Sequence, residues 1–351
     1  MLHMAEHRTA DEILTSLNMP GYFRDALRSE NFVVNEDGEM NQVLVGTEHV
    51  VKMPRGTPRE QAAVTYFEGI VVGSLEDIRT PSPVAVPEYV DASFPRDLPR
   101  GMVDKVSWLA LSLVPGTVLS RDQVRAFSPE EECDLGTKIG SFVAWLGTGM
   151  SPHDYQRTIK FANPVIFDRQ LQIEKVTHRA TIEDTPDVLT DVLIKLNRER
   201  VKRERDGSLR PTLIGHDDLH DQNLTFTRQT GRWALHGVFD FGLTKPSTPE
   251  RELRHLLTLG PKTAQAGIDA YEDVTGQQVS HELLRFWAIA QAATQYAAAI
   301  WNGHERNAAM KRLDLEAILP DRDWSELDKH TAAHHPEAVR RIVSDRLIQH
   351  G

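Results

Sequence analysis

Cysteine is nearly absent from the 351-residue sequence, which contains only Cys133. A single cysteine cannot form an internal disulfide, and it cannot supply a cysteine-only metal cluster. The sequence also lacks any apolar run approaching the roughly eighteen residues of a membrane-spanning helix. Its first thirty residues lack the apolar core of a signal peptide. We therefore expect no membrane association and, by default, a cytoplasmic location.

Positive charge is scarce relative to negative charge. Lys and Arg total 40 against 51 Asp and Glu, which gives a formal net charge of −11. This balance argues against a protein built to grip a nucleic-acid backbone. A negative surface favours solubility first, and it also favours cationic small molecules. Hydrophobic residues at 40% and aromatic residues at 7% are ordinary for a globular enzyme.

Five β-favouring stretches occupy the N-terminal third, at residues 31–34, 42–45, 50–53, 84–90 and 106–114. An amphipathic pattern near residues 58–75 predicts one helix after the third strand. A shorter helical pattern over residues 12–28 is broken at Pro20. Together they predict a small antiparallel lobe.

The rest of the sequence is typical of helices. Ser128 begins a capping box for a helix that we expect to stop at Gly147. Thr185 and Pro186 begin a charged helix that runs to about Arg205, and residues 282–301 are helical again. A length of 351 residues exceeds what one core usually supports. We therefore predict two lobes, over residues 1–114 and 115–351.

The most informative segment is residues 211–242. Asp218 precedes Asn223 by five residues, and Asp240 follows in an Asp-Phe-Gly triplet. Between Asn223 and Asp240, two β-favouring runs flank a polar turn, which predicts a β-hairpin. Because a hairpin brings its two ends together, we expect Asn223 and Asp240 to lie side by side, as two ligands of one ion must.

This order and spacing are what phosphoryl transfer from a nucleotide requires. One carboxylate orients the attacking hydroxyl and accepts its proton, while an amide oxygen and a second carboxylate hold Mg²⁺. Asp218 is the candidate base, and Asn223 and Asp240 are the candidate Mg²⁺ ligands. Asp218 could alternatively be a capping or turn residue. Asp217 competes for the catalytic role, but only Asp218 lies five residues before Asn223.

With these motifs, the chain resembles the aminoglycoside phosphotransferase-like family, which shares the bilobal protein-kinase-like fold. The family motif His-Gly-Asp-Leu-His-x-x-Asn reads His-Asp-Asp-Leu-His-Asp-Gln-Asn at residues 216–223, with Asp217 where glycine is common. Residues 239–242 read Phe-Asp-Phe-Gly. The resemblance covers about residues 31–300, and only the catalytic segment is highly specific. It implies an α+β fold, with a small antiparallel nucleotide-binding lobe and a larger helical lobe for the catalytic loop and acceptor.

The resemblance extends to a nucleotide-binding lysine. Lys52 lies in an apolar strand, the position from which a lysine reaches the α- and β-phosphates of ATP. Such a lysine needs a carboxylate to hold it. Glu68 is the first choice and Glu60 the alternative. Lys52 as a plain surface lysine at a strand end is the remaining interpretation.

Other nucleotide contacts follow from the same resemblance. Gly38 and Asn41 would shape the loop over the phosphates, although that loop has a single glycine. Adenine would dock on backbone groups of Ser112, Leu113 and Val114, whose side chains do not distinguish ATP from GTP. Glu252 stands where the family usually has an aspartate that braces the catalytic loop.

The leading hypothesis is an ATP-dependent kinase that phosphorylates a hydroxyl of a small molecule, either an antibiotic, as in antibiotic resistance, or a metabolite. The alternative is an inactive pseudokinase or binding module. A protein kinase is disfavoured because only a few residues separate Gly242 from Pro249. We expect a cationic acceptor in preference to a neutral one, from carboxylates such as Glu183, Asp184, Asp187, Asp269, Glu272 and Asp273. A neutral acceptor would instead suit Trp287, Tyr296 and Trp301.

Overall fold

The computed structural model describes residues 9–35, 41–54, 58–93, 107–150, 155, 172–183, 185–325 and 327–329. By contacts between Cα atoms the chain forms two compact units. The first comprises Met1–Ser120, Trp145–Phe167 and His216–Pro246, and the second comprises Arg121–Ala144, Asp168–Gly215 and Ser247–Gly351. The segment that carries the catalytic motif thus groups with the N-terminal residues. The lobe boundary at residue 114 stays a prediction.

The first unit contains a five-stranded antiparallel sheet in the order β1-β2-β3-β5-β4. Its strands are β1 (Val33–Asn35), β2 (Asn41–Val45), β3 (His49–Pro54), β4 (Tyr89–Ala92) and β5 (Leu109–Ser112). Helix α3 (Pro58–Leu75) follows β3. The predicted small antiparallel lobe with one helix after its third strand is confirmed.

The predicted strand over residues 84–90 is mostly wrong, because β4 begins only at Tyr89. Ala85 lies outside the sheet and is hydrogen-bonded to a distant segment instead. Its N–H donates to the carbonyl of His236 at 2.8 Å, and its carbonyl accepts from the N–H of Val238 at 2.9 Å. The backbone of the extended segment before β4 therefore forms hydrogen bonds with another element of the chain.

Two short helices precede the sheet, α1 (Ala10–Ser16) and α2 (Gly21–Arg28). Thr9 and Glu12 form a capping box at the start of α1, and Pro20 precedes α2, as the sequence predicts. Their apolar side chains share a buried cluster with Val51 and Met53 of β3. Because side chains alternate along a strand, Lys52 between them points to the opposite face of the sheet.

Most of the remaining described residues are helical. The helices are α4 (Arg121–Arg125), α5 (Pro129–Gly149), α6 (Gln172–Ala180), α7 (Asp187–Asp206), α8 (Pro249–Leu253), α9 (Leu256–Leu259), α10 (Pro261–Thr275), α11 (His281–Trp301) and α12 (Glu305–Ile318). The Ser128 capping box is confirmed, and α5 runs two residues past Gly147. Short strands β6 (Leu213–Gly215), β7 (Leu224–Gln229), β8 (Arg232–Val238) and β9 (Lys245–Ser247) complete the elements. Within the described ranges, no helix is long and apolar enough to cross a membrane.

Candidate active site

Strands β7 and β8 form the predicted hairpin, with Leu224 opposite Val238 and Gln229 opposite Arg232. The two turn residues, Thr230 and Gly231, have φ values of 50° and 85°. Positive φ at both central positions suits the right-handed twist of a two-residue hairpin. At the open end, the N–H of Phe239 donates to the carbonyl of Asn223 at 3.1 Å. Asn223 and Asp240 therefore leave the hairpin from the same end.

The hairpin is hydrogen-bonded to the segment that follows β5. The N–H of Thr117 donates to the carbonyl of Phe226, and the N–H of Phe226 donates to the carbonyl of Thr117, both at 2.9 Å. Gly116, at φ 120°, makes this approach possible, since a Cβ there would lie 2.9 Å from the carbonyl oxygen of Phe226. The segment proposed for adenine is thus joined directly to the hairpin that carries the candidate metal ligands.

Lys52 is buried and contacts two carboxylates. Its Nζ lies 2.7 and 2.8 Å from the two carboxylate oxygens of Glu68, and 2.7 Å from Oδ1 of Asp240. Glu68 is fully buried and also accepts the N–H of Phe241 at 3.2 Å. The structure therefore pairs Lys52 with Glu68. Glu60 belongs to the same helix, but its side chain lies outside the described residues.

The charges around Lys52 compensate for its burial. Removal from water alone would lower the pKa of the ammonium group, but Asp240 and Glu68 more than offset this and raise its pKa. A buried charge is tolerated when it is paired and hydrogen-bonded. Lys52 is therefore a fixed cation beside Asp240.

Asp240 has a left-handed backbone, with φ 69° and ψ 64°, immediately before a short 3-10 turn at Phe241–Leu243. Such a conformation is costly for a residue with a side chain and is often found at functional positions. The Asp240 side chain remains 42% exposed although Lys52 contacts it. Phe241 is fully buried, and its ring packs edge-on against His216 at 4.7 Å. The carboxylate of Asp240 is thus held by Lys52 and remains partly exposed to solvent.

Asn223 lies against Asp218. Its Nδ2 donates to the backbone carbonyl of Asp218 at 2.9 Å and to Oδ2 of Asp218 at 3.2 Å. A carboxamide that points its nitrogen at one partner directs its oxygen away from it. The oxygen of Asn223 is therefore directed away from the carboxylate of Asp218, as a metal ligand beside a base should be.

Asp218 is a carboxylate at neutral pH. Burial opposes its ionisation, but the hydrogen bond and charge of His220, and then His216, hold its pKa at about 2. Nε2 of His220 lies 3.5 Å from Oδ2 of Asp218. A carboxylate with so low a pKa is a weak base, which suits a group that orients a hydroxyl and accepts its proton late.

His216 is fully buried, and burial lowers the pKa of its imidazole. Its Nε2 lies 3.0 Å from the carbonyl oxygen of Phe239 and donates to it. His216 therefore fixes the start of the catalytic loop to the end of β8.

In the segment proposed for adenine, Ser112–Val114, fewer backbone groups are available for hydrogen bonding than the sequence suggests. The N–H of Ser112 donates to the carbonyl of Glu88 at 2.9 Å, and the N–H of Leu113 donates to that of Glu48 at 2.7 Å. Adenine contacts in this segment are therefore left to the N–H of Val114 and to carbonyl groups.

The phosphate-loop residues differ in what the structure describes. Gly38 lies outside the described residues. Asn41 is buried, and its Oδ1 accepts the hydroxyl of Thr65 at 2.9 Å. Asn41 thus joins β2 to α3.

Residues that the sequence did not single out also lie near the catalytic loop. Lys245 forms a buried ion pair with Asp217, and the hydroxyl of Tyr155 donates to the carbonyl of Thr244 at 2.6 Å. The only signal for the ion pair was the departure from glycine at position 217. No local pattern marks Lys245 or Tyr155, because their partners are remote in sequence.

Glu252 is buried and accepts the hydroxyl of Ser247 at 2.6 Å. It packs directly against Gly215, where an added Cβ would lie 2.0 Å from its carboxyl carbon. Gly215 is the residue before His216 in the chain. The longer glutamate therefore reaches the backbone that leads into the catalytic loop.

Several carboxylates considered for a cationic acceptor already have local partners. Glu183 pairs with Arg179 at 3.3 Å, and Asp269 accepts from Gln265 at 2.7 Å. Glu272 accepts the N–H of Val279 at 2.8 Å. Asp184 lies outside the described residues. These contacts account for three of the carboxylates locally, and they weaken the argument for a cationic acceptor.

The donor set fits a metal that is bound together with a nucleotide. In the described part of the chain, no three His, Cys, Asp or Glu side chains come together to bind a metal. Asn223 and Asp240 offer one amide oxygen and one carboxylate, which are hard donors that suit Mg²⁺. So few protein ligands leave room for phosphate oxygens and water.

The sequence matches the phosphotransferase enzyme family over residues 32–287. No curated protein sequence matches the chain. Among solved structures, the GDP and kanamycin complex of the aminoglycoside phosphotransferase APH(2")-IIia is similar at 15% identity and a TM-score of 0.61, covering 86% of this chain and 98% of that one.

The streptomycin–ATP complex of APH(2")-IIa is similar at 14% identity and a TM-score of 0.53, covering 87% of this chain and 97% of that one. The macrolide 2'-phosphotransferase from Brachybacterium faecium is similar at 15% identity and a TM-score of 0.54, covering 85% and 97%. At these identities the likeness establishes the bilobal, protein-kinase-like α+β fold.

Proposed function

Because the chain belongs to the phosphotransferase enzyme family, we propose that it transfers the terminal phosphate of ATP or GTP to a hydroxyl group of a small molecule. The observation that carries this proposal is the set of contacts around Asp240. Lys52 touches its carboxylate at 2.7 Å. The hairpin brings Asn223 to the end where Asp240 leaves it, and Asn223 donates to the carboxylate of Asp218. A cation, two oxygen donors and a base are the parts that phosphoryl transfer requires.

The nucleotide side of the reaction belongs to Lys52 and its partners. The Lys52 ammonium binds the α- and β-phosphate oxygens, and Glu68 fixes its position from a fully buried site. Asn223 and Asp240 would hold Mg²⁺, and the ion would neutralise charge on the phosphates. Val114 contributes backbone contacts to the base. Gly38 and Asn41 would shape the loop over the phosphates.

The acceptor side belongs to Asp218. Its carboxylate accepts a hydrogen bond from the acceptor hydroxyl and so directs the oxygen at the terminal phosphorus. The proton passes to Asp218 as the new P–O bond forms and the bond to the leaving nucleoside diphosphate breaks. Because the pKa of Asp218 is about 2, proton transfer is late. Asp218 therefore increases the rate mainly by orienting the acceptor hydroxyl.

The acceptor is a small hydroxylated molecule. The similar structures contain or are named for kanamycin, streptomycin and macrolides, so hydroxylated antibiotics are the first class to test, and hydroxylated metabolites the second. Among antibiotics, we rank cationic aminoglycosides first as acceptors, because the net charge of −11 favours a cationic substrate. A neutral macrolide is the competing acceptor, because several carboxylates are already paired locally.

Nucleoside diphosphate release tests the proposal. The full chain would be incubated with Mg·ATP or Mg·GTP and with kanamycin, gentamicin, streptomycin or erythromycin in turn, and product phosphorylation would be checked by mass spectrometry. We expect acceptor-dependent release that Asp218→Asn abolishes. Asp314→Asn is the matched control, because it alters a buried aspartate in the second unit. Nucleotide binding without transfer to any antibiotic or hydroxylated metabolite would favour an inactive binding module.

A further inference from the structure

A buried ion pair lies next to Asp218 and has no part in the roles proposed above. Nζ of Lys245 contacts Oδ2 of Asp217, and the two side chains are only 5% and 6% exposed. Asp217 has a left-handed backbone, with φ 62°. Glycine would adopt that conformation without strain. The chain thus has a strained, charged residue where an unstrained, neutral one would fit.

Both features of Asp217 oppose folding. A side chain in the left-handed region is strained. The free-energy cost of removing two charges from water often exceeds the Coulombic attraction that the pair gains. A buried ion pair is therefore weak evidence for stability. The pair instead favours one geometry, because separating a buried carboxylate from its ammonium leaves both charges uncompensated.

The geometry that this pair fixes is that of the catalytic loop. His216 is held to Phe239 by a hydrogen bond of 3.0 Å and to Phe241 by ring packing, which places its contacts on both sides of Asp240. Asp217 is held to Lys245, five residues after Asp240. The backbone from which Asp218 projects is therefore attached at two consecutive residues to the segment that contains Asp240.

Tyr155 completes the anchor for Lys245. Its hydroxyl donates to the carbonyl of Thr244 at 2.6 Å and is buried. Burial, and then the charge of Asp217, raise the pKa of Tyr155, so its hydroxyl remains a hydrogen-bond donor. The segment that bears Lys245 is thereby fixed independently of the ion pair.

We infer that Asp217 and Lys245 form a positioning pair that sets the distance between the Asp218 carboxylate and Asp240, and thereby between the acceptor hydroxyl and the transferred phosphate. This inference rests on the proposed function. Both side chains are almost completely buried, so they act through Asp218 as positioning residues. The pair should affect turnover more than nucleotide binding, because Lys52, Glu68 and Asp240 keep their contacts without it.

Two substitutions at position 217 separate charge from strain. Asp217→Gly removes the carboxylate and relieves the left-handed backbone, whereas Asp217→Asn removes the charge and keeps the shape. Lys245→Met breaks the pair from the other side, and Lys245→Arg keeps the charge. Asp314→Asn is the control, because it breaks a buried ion pair with Arg121 at 2.5 Å in the second unit.

The experiment measures three quantities on the full chain: amide hydrogen exchange of residues 216–223, melting temperature, and hydrolysis of Mg·ATP and Mg·GTP with water as acceptor. We expect Asp217→Gly, Asp217→Asn and Lys245→Met to lower kcat about tenfold to a hundredfold, the order expected for misplacement by about 1 Å. Nucleotide KM should change less than about threefold, and exchange of the loop amides should rise about tenfold. Lys245→Arg should retain kcat.

Two results would overturn the inference. One is unchanged kcat and unchanged loop exchange in Asp217→Asn. The other is a loss of kcat in Asp314→Asn equal to that in Asp217→Asn at equal melting temperature. The proposed function fails separately, if the wild-type chain neither binds Mg·nucleotide nor turns it over. The exchange measurement then still decides whether the pair orders the loop.

Discussion

Among single residues, Lys52 depends strongly on its neighbours, because its buried ammonium is paired with the carboxylates of Glu68 and Asp240. Glu68 also accepts a hydrogen bond from the N–H of Phe241. One carboxylate thus orients the lysine and the residue after Asp240. Loss of its charge should disturb both sides of the nucleotide site.

The first prediction compares two glutamates of α3. Glu68→Gln should lower kcat/KM for nucleotide about tenfold to a hundredfold, because a neutral amide cannot hold a buried ammonium as a carboxylate does. Glu60→Gln should stay within about threefold of the wild type. Steady-state kinetics with varied nucleotide measures both. A larger loss in Glu60→Gln would show that the wrong carboxylate has been assigned to Lys52.

The second prediction concerns pH and Asp218. The folded pKa of about 2 lies below the ordinary 3.8, so ionised Asp218 stabilises the fold above the unfolded pKa, and this contribution fades as pH falls through the folded pKa. The full contribution is about 2 kcal/mol. Urea unfolding of the wild type and Asp218→Asn should show a stability difference that changes by about 1.5 kcal/mol between pH 6 and pH 2.5, because the remainder is lost only below the folded pKa. A difference constant over this range would contradict the low pKa.

At the scale of elements, the hairpin of β7 and β8 links the candidate metal ligands to the segment proposed for adenine, through Thr117 and Phe226. Gly116 allows this contact and Gly231 allows the turn, but their surroundings differ. A Cβ at Gly231 meets no atom within 4 Å, whereas a Cβ at Gly116 meets the carbonyl of Phe226 at 2.9 Å. Both glycines have positive φ.

The third prediction uses that difference. Gly231→Ala should cost about 1 kcal/mol of unfolding free energy from backbone strain alone and leave nucleotide KM unchanged. Gly116→Ala should cost more and should raise nucleotide KM, because the clash pushes the adenine segment away from the hairpin. Chemical unfolding and kinetics measure the two effects. Equal effects of the two substitutions would mean that the hairpin does not support the adenine segment.

Local sequence patterns predicted the elements well. The hairpin follows from its turn residues, and the split between α1 and α2 follows from Pro20, because each signal lies within a few residues of its effect. Residues 84–88 were wrongly predicted to belong to a strand, because Ala85 is hydrogen-bonded to His236 and Val238, far along the chain. Apolar, extended residues have the same sequence pattern whether they pair inside the sheet or with another element.

The same limit applies to the candidate site. Asp218, Asn223 and Asp240 could be selected from spacing, and Lys52 with Glu68 from a strand followed by a helix. The Lys52–Asp240 contact spans 188 residues, and the Asp217–Lys245 pair has no sequence signal beyond an unusual aspartate. Ion pairs between distant segments depend on the folded backbone, which local propensity does not encode.

At the scale of the whole molecule, we propose that the first compact unit contains an ordered site for a nucleotide and Mg²⁺. Asn223 and Asp240 offer too few ligands to bind Mg²⁺ tightly alone, and the phosphates need a metal beside Lys52. Metal and nucleotide should therefore bind cooperatively.

Calorimetric titration of the full chain with ATP and GTP, with Mg²⁺ and in EDTA, tests this claim most directly. We predict at least about tenfold tighter binding with Mg²⁺, a coupling of about 1.4 kcal/mol or more. Asp240→Asn should lose this gain and Asp218→Asn should keep it. Equal affinity in Mg²⁺ and EDTA, or loss of the gain in Asp218→Asn but not in Asp240→Asn, would contradict the account.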